Sequence, residues 1–161
     1  MTRVGVFSDS HGDHRSLLAL LEAMGYIDAA CFLGDVASDA EFLRLQLEAM
    51  PNRPPLYAVR GNNDLMSLLP DDLICEAGGK RLYLTHGHRC ANLMALALRA
   101  KENGADVALF GHTHVALHEY AYGMLLVNPG SAADCNHARG GPARACVLEI
   151  KGDQVRVVEV V

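Results

Sequence analysis

Apolar residues fall along this chain in short runs, and each of several runs ends in a small polar cluster. Arg3 to Phe7 is a compact run of the kind a buried strand shows, followed by a polar stretch from Ser8 to Asp13. Leu17, Leu18, Leu20, Leu21 and Met24 recur at helical spacing and are closed by Gly25. Ala29 to Leu33 predicts a second buried strand. Ser38 with Glu41 three residues on predicts a capping box, opening a helix that runs to about Met50 before Pro51. Leu56 to Val59 predicts a third strand. Beyond Pro70 the pattern changes, and Leu73 to Ala77 and Arg81 to Thr85 flank Gly78-Gly79 as a hairpin. Asn92 to Lys101 has helical periodicity, and Asp106 to Phe110 predicts another buried strand. Val115 to Tyr122 and Met124 to Asn128 form a hairpin about Gly123, and Arg144 to Ile150 pairs with Gln154 to Val161.

The first half therefore alternates β and α, while the second is mainly antiparallel β around one long helix. An α/β architecture of two stacked mixed β-sheets flanked by helices accommodates that order. No repeat, linker or low-complexity stretch interrupts it, so residues 1–161 read as one domain. A chain of this size buries roughly 70% of its unfolded surface, enough for a substantial core.

Composition removes several function classes. Half of the residues are apolar and 20% charged, which argues for a folded globular chain over disorder. A formal charge of −5 leaves no basic face for a nucleic-acid polymer. A small phosphate ester stays open, because bound divalent cations supply a local positive field. Cys31, Cys75, Cys90, Cys135 and Cys146 are odd in number and never in a CxxC pair. They read as reduced, mostly buried thiols and not as a disulfide framework or a thiolate zinc cage. No apolar stretch approaches about 18 residues, and the amino terminus runs straight into a strand-like run. Cytoplasmic location and no membrane partner are the expectation.

The candidate chemistry lies in the polar clusters, which are Asp9-Ser10-His11, Gly34-Asp35, Gly61-Asn62-Asn63-Asp64, His86-Gly87-His88 and Gly111-His112-Thr113-His114. Asp9, Asp35, Asn62, His86 and His112 are separated by 26, 27, 24 and 26 residues. That interval is close to one strand plus one crossover, roughly 30 residues. Side chains at the carboxyl ends of successive strands would then converge at one sheet edge, where open α/β folds place ligands. Asp9 and His11 would share one face of an extended backbone, and His112 and His114 repeat the spacing. Carboxylates and imidazoles suit Mn²⁺, Fe²⁺, Zn²⁺ or Ni²⁺ better than Ca²⁺. Each motif alone is weak, and helix-capping or turn roles would account for Asp35 or Asn62 singly. They do not account for four histidines in one ordered set.

That ordered set resembles the signature of the calcineurin-like metallophosphoesterase superfamily, D-x-H, G-D, G-N-H-[DE], H and G-H-x-H. The resemblance runs from Asp9 to His114 and continues into Asn128-Pro129-Gly130-Ser131, a segment typical of the small YfcE-like phosphodiesterases. It implies a single metallophosphoesterase domain with a four-layer αββα sandwich. It also implies two divalent transition-metal ions, manganese first, with nickel, iron or zinc as alternatives. One ion would be held by Asp9, His11, Asp35 and His114, the other by Asp35, Asn62, His86 and His112, with Asp35 bridging. Paired cations about 3.5–4 Å apart lower the pKa of a shared water and clamp an in-line displacement at phosphorus. The expected activity is hydrolysis of small phosphate diesters by that bridging hydroxide, without a covalent enzyme intermediate.

One position departs from the signature. Asn63 stands where the third motif usually has His, and an amide cannot act as a general acid near neutral pH. His88, two residues past His86, is then a candidate contact to the phosphoryl or leaving group. Arg60 reads as an anion-steering or salt-bridged residue, Asp64 as a support for Asn62 or His88, and His14 as a helix-start residue. Ser131, Asn136, His137 and Arg139 read as a polar loop that lines substrate or lies on the surface. Phosphomonoesterase or nucleotide-anhydride hydrolase activity are the enzymatic alternatives, and a scaffold similar to Vps29 is the non-enzymatic one. An unpaired sheet edge or exposed hairpin also leaves a homo-oligomer open.

Overall fold

Two-residue alternation divides the strand side chains between two faces, and the structure uses both. The computed structural model describes residues 1–134 and 141–161, so Cys135, Asn136, His137 and Arg139 lie outside the described residues. The elements run β1 (Thr2–Phe7), α1 (His14–Met24), β2 (Ala29–Phe32), α2 (Ala37–Ala49), β3 (Leu56–Ala58), β4 (Asp72–Ala77) and β5 (Lys80–Thr85). They continue with α3 (Leu93–Glu102), β6 (Val107–Leu109), β7 (Leu117–Ala121), β8 (Met124–Asn128), β9 (Ala145–Lys151) and β10 (Gln154–Val160). One five-stranded sheet has the order β10-β9-β1-β2-β3 and the other β4-β5-β6-β8-β7. Both are mixed. β1, β2 and β3 are mutually parallel, as are β5, β6 and β8.

The faces explain the layering. Val4, Val6, Cys31 and Leu33 of the first sheet meet Leu82, Leu84, Leu109 and Val127 of the second in one buried cluster between the sheets. The alternate residues Phe7, Ala30, Phe32 and Val147 face Leu17, Leu21, Leu43 and Leu47 of α1 and α2. Tyr83, Ala108, Phe110 and Leu126 face Leu96, Ala97 and Ala100 of α3. The result is the four-layer αββα sandwich expected from the sequence. Cys31, Cys75 and Cys146 are free and buried within it. Among the described residues no helix is long and apolar enough to cross a membrane.

Local rules fix most element ends. The Asp13 side chain accepts from Ser16 N at 3.0 Å to start α1, and Gly25 closes it with φ 65°. The Asn92 side chain accepts from Ala95 N at 2.9 Å to start α3, whose last turn carries Arg99 and Lys101. The capping box expected at Ser38 does not form. α2 begins two residues earlier behind Val36, which has φ 73° and offers no side-chain cap. Asp64, remote in sequence, supplies the acceptor instead and receives Ala37 N at 2.8 Å.

Urea unfolding should separate the two helix starts. Asn92→Ala is expected to cost about 1 kcal/mol, whereas Ser38→Ala should stay within about 0.5 kcal/mol of wild type. A larger loss at Ser38 than at Asn92 would mean that the local box governs after all.

Candidate metal centre

All six parallel strands point their carboxyl ends at one edge, and every cluster follows such an end. Asp9 lies two residues past β1, Asp35 three past β2 and Asn62 four past β3; His86 lies directly past β5 and His112 three past β6. The seam between the sheets is narrow there. A Cβ at Gly61 would overlap Asp35 Oδ1, and one at Gly111 would overlap the Ser8 hydroxyl and crowd the Asp9 carboxylate. Glycine at these two positions lets carboxylate and backbone approach as closely as they do.

The seven candidate ligands form one connected set. Asp9 is fully buried. Its Oδ2 accepts from Ser8 Oγ at 2.6 Å and from His112 N at 2.9 Å. Its Oδ1 is buried and has no hydrogen-bond partner among the described residues. Three imidazole Nε2 atoms surround that oxygen, His114 at 3.2 Å, His86 at 3.8 Å and His11 at 4.0 Å. His11 and His114 approach each other at 3.2 Å between their Nε2 atoms. His86 Nδ1 lies 2.7 Å from the Leu33 carbonyl, an acceptor only, so Nδ1 carries the proton. Its Nε2 therefore points inward, 3.0 Å from Asn62 Oδ1 and 3.6 Å from Asp35 Oδ2. Asn62 Oδ1 also lies 3.2 Å from His112 Nδ1.

Lone pairs converging in this way repel one another unless a proton or a cation sits among them. Ligand atoms of Asp9, His11 and His114 lie within 4.8 Å of one another, and so do those of Asp9, Asp35 and His86. Carboxylates, imidazoles and an amide oxygen are donors for borderline divalent ions, so these residues fit a metal site. Asp9 is the carboxylate common to both sets, while the resemblance to the metallophosphoesterase signature implies Asp35 in the bridging position.

The backbone reason for this convergence differs from the expected one. Asp9 and His11 do not share a face of extended chain, since their φ values are 52° and 45°. Asp35, His112 and His114 are also left-handed, at 48°, 68° and 59°. Asp and His tolerate that region better than most residues, but it remains strained. An anchor absent from the sequence reading holds the first loop. Asp39 of α2 is fully buried and accepts from Ser10 Oγ at 2.6 Å and Gly12 N at 2.7 Å, the two neighbours of His11. Its other oxygen lies 2.8 Å from His14 Nε2, and the His14 ring stacks on Phe42 at 4.1 Å.

The remaining candidates sort by contact. Asn63 clasps Asp35 through its backbone N–H at 3.1 Å and its amide nitrogen at 2.8 Å. The His88 ring lies 5.4 Å from that of His86 and 6.2 Å from that of His112. Burial, then the neighbouring His86 and His112, hold its pKa below the usual histidine value. Among the described residues the Asp64 carboxylate hydrogen-bonds neither Asn62 nor His88. Its carboxylate binds Gly61 N and Ala37 N, each at 2.8 Å. Arg60 forms a salt bridge to Asp71 at 2.7 Å. Ser131 Oγ donates to the Asp9 carbonyl at 2.8 Å, and Asn128 Nδ2 donates to Gly111 O at 2.9 Å, so the Asn128–Ser131 segment braces the centre.

Comparisons with known proteins identify the family and the fold. The family model of the calcineurin-like phosphoesterase superfamily domain matches residues 2–153. A probable metallophosphoesterase of Bacillus subtilis is 35% identical over 130 residues, covering 78% of this chain and 72% of that protein. A protein of Methanocaldococcus jannaschii named a phosphodiesterase is 24% identical over 156 residues, covering 87% of this chain and 89% of its own length. The crystal structure of a predicted phosphoesterase from Streptococcus pneumoniae matches with a TM-score of 0.75 at 27% identity, covering 98% of this chain and 88% of that one. Vps29 of Entamoeba histolytica, crystallised with Zn²⁺, shares the fold with a TM-score of 0.74 at 22% identity, covering 99% of this chain and 98% of that one.

The Asp39 anchor is open to a direct check. Asp39→Ala leaves the Ser10 hydroxyl and the Gly12 N–H without their acceptor, so urea unfolding should show a loss of about 1–3 kcal/mol. Stability within about 0.5 kcal/mol of wild type would show that the loop is held by other contacts.

Proposed function

We propose that this chain, which belongs to the calcineurin-like phosphoesterase superfamily, is a metal-dependent phosphodiesterase acting on small phosphate diesters, with residues 1–161 as its single domain. The observation that carries the reading is the buried Asp9 Oδ1, which has no hydrogen-bond partner among the described residues and faces three imidazole nitrogens. On this reading Asp9, His11, Asp35 and His114 hold one divalent cation and Asp35, Asn62, His86 and His112 a second. When bound, such cations supply Lewis acidity and a water that ionises near neutral pH. The expected metal is manganese, with nickel, iron or zinc as alternatives.

The chain's own residues set what the site does with a substrate. The Leu33 carbonyl fixes the His86 tautomer, and Asn63 holds the Asp35 carboxylate in one orientation. Asn63 and His88 stand beside the candidate ligands, and on this reading they would contact the phosphoryl group or the leaving oxygen. Hydrolysis joins a water oxygen to phosphorus and releases the ester oxygen with the bonding pair. That oxygen must take up a proton or be stable as an anion, and an amide at position 63 supplies no acid. Good leaving groups are therefore favoured. A monoanionic diester also asks for less positive charge than a dianionic monoester. The arginines adjoining two of the clusters, Arg60 and Arg89, both pair with Asp71, at 2.7 and 2.9 Å. The relative named a phosphodiesterase points the same way.

With Mn²⁺ or Ni²⁺ added, hydrolysis of bis-p-nitrophenyl phosphate should exceed that of p-nitrophenyl phosphate. The reverse preference would indicate a monoesterase, and inactivity toward both in metal-loaded protein a scaffold. Asp35→Asn should lower metal stoichiometry and activity together, so full retention of both would remove Asp35 from the centre. Among aryl and alkyl diesters, kcat should fall steeply as leaving-group pKa rises. A flat dependence with chemistry rate-limiting would mean that another group donates the proton.

A further inference from the structure

Beside His112 the surface opens into a cleft of about 240 Å³ between the start of α3 and the end of β6. Cys90, Leu93, Leu96 and Phe110 are among its lining residues, as are Gly111 and His112, the last a candidate ligand of the metal centre. Among the described residues that line it there is no Lys, Arg, Asp or Glu. Its polar groups are largely engaged already. Asn92 Oδ1 accepts from Ala95 N at 2.9 Å, and Thr113 Oγ1 accepts from Asn128 Nδ2 at 3.0 Å and Val115 N at 3.3 Å. Burial pushes the Cys90 thiol above its ordinary pKa, so it presents a neutral sulfur wall.

A sugar or charged group entering this cleft would lose water and find few partners, which is costly. An apolar group loses little. An apolar cavity of roughly 150 Å³ is known to hold benzene, so the space here is enough for one ring. The lining residue His112 puts whatever occupies the cleft next to the residues that would hold the phosphoryl group. We propose that the cleft takes one organic group of the phosphate ester and selects an apolar one, an aryl ring or a short alkyl chain. The inference rests on the phosphodiesterase reading above and adds a substrate class to it.

Phosphonates test it without turnover, because each carries a single organic group on phosphorus. By calorimetry on manganese-loaded protein, phenylphosphonate should bind about tenfold or more tighter than methylphosphonate. Leu93→Asp should bring that ratio close to one. Its new charge falls in the first turn of α3, where it complements the helix dipole, so the fold should persist. Leu93→Phe, which fills the cleft with an apolar group, should collapse the ratio as well. Equal binding of the two phosphonates in wild type, or a ratio unchanged in both variants, overturns the inference. If bis-p-nitrophenyl phosphate is still hydrolysed in that case, the phosphodiesterase reading survives alone. If neither phosphonate binds and no diester is hydrolysed by metal-loaded protein, the phosphodiesterase reading itself has failed and takes the inference with it.

Discussion

Asp9 carries a carboxylate at 0% exposure on the seam between two sheets, with one oxygen tied and the other left facing imidazoles. Burying an ionised carboxylate without full compensation costs several kcal/mol. A chain selected only for stability would place an apolar residue there, as it does at Val6 and Leu33 nearby. The arrangement persists because both sheets commit their parallel strand ends to the same edge. The first sheet contributes Asp9, Asp35 and Asn62, and the second contributes His86 and His112. Neither sheet alone has a complete set, so the inter-sheet core is also what assembles the site.

The local backbone adds a second cost. Five of the seven candidate ligands are non-glycine residues with φ between 45° and 68°. Such residues cost about 1–3 kcal/mol each, in a domain whose net stability is typically only about 5–15 kcal/mol. The compensation is visible as side chains that bond the backbone beside each kink. Asp39 holds Ser10 and Gly12 around His11. Asp64 holds Gly61 and the start of α2, next to Asp35. Asn128 and Ser131 hold Gly111 and Asp9 from the last strand of the parallel trio. Apart from the Gly61–Asp64 bond inside one loop, these are long-range bonds between clusters, so the loops are set largely by their neighbours.

That explains what was readable in advance. The compact apolar runs Arg3–Phe7, Ala29–Leu33 and Asp106–Phe110 report buried strands, and helical spacing in Leu17–Met24 reports a stripe. Both are local in sequence, so the layers followed from them. The convergence of Asp9, Asp35, Asn62, His86 and His112 followed from the regular interval between strand ends. Asp39 was invisible because nothing in Ser38-Asp39-Ala40 distinguishes a buried anchor from an ordinary acidic residue in a first helical turn. The Ser38 box failed for the same reason, since its competitor, Asp64, lies in a different loop. The kinks at His11 and His114 are likewise tertiary, because an isolated D-x-H or H-x-H segment has no cause to leave the extended region.

Taken together, the charge and polarity around the centre bear on what kind of ester belongs there. Asp9 and Asp35 offset two positive charges of any cations bound between them, and Asp71 already occupies Arg60 and Arg89. On the proposed two-cation reading, an ionised water would remove a further positive charge, and the field left over would suit one negative charge on phosphorus better than two. A diester meets that condition, and it brings two organic groups that must go somewhere. The cleft beside His112 supplies a place with a largely apolar lining and mostly occupied hydrogen-bonding groups. On the phosphodiesterase reading, modest charge at the phosphorus and low polarity beside it are compatible demands on one substrate.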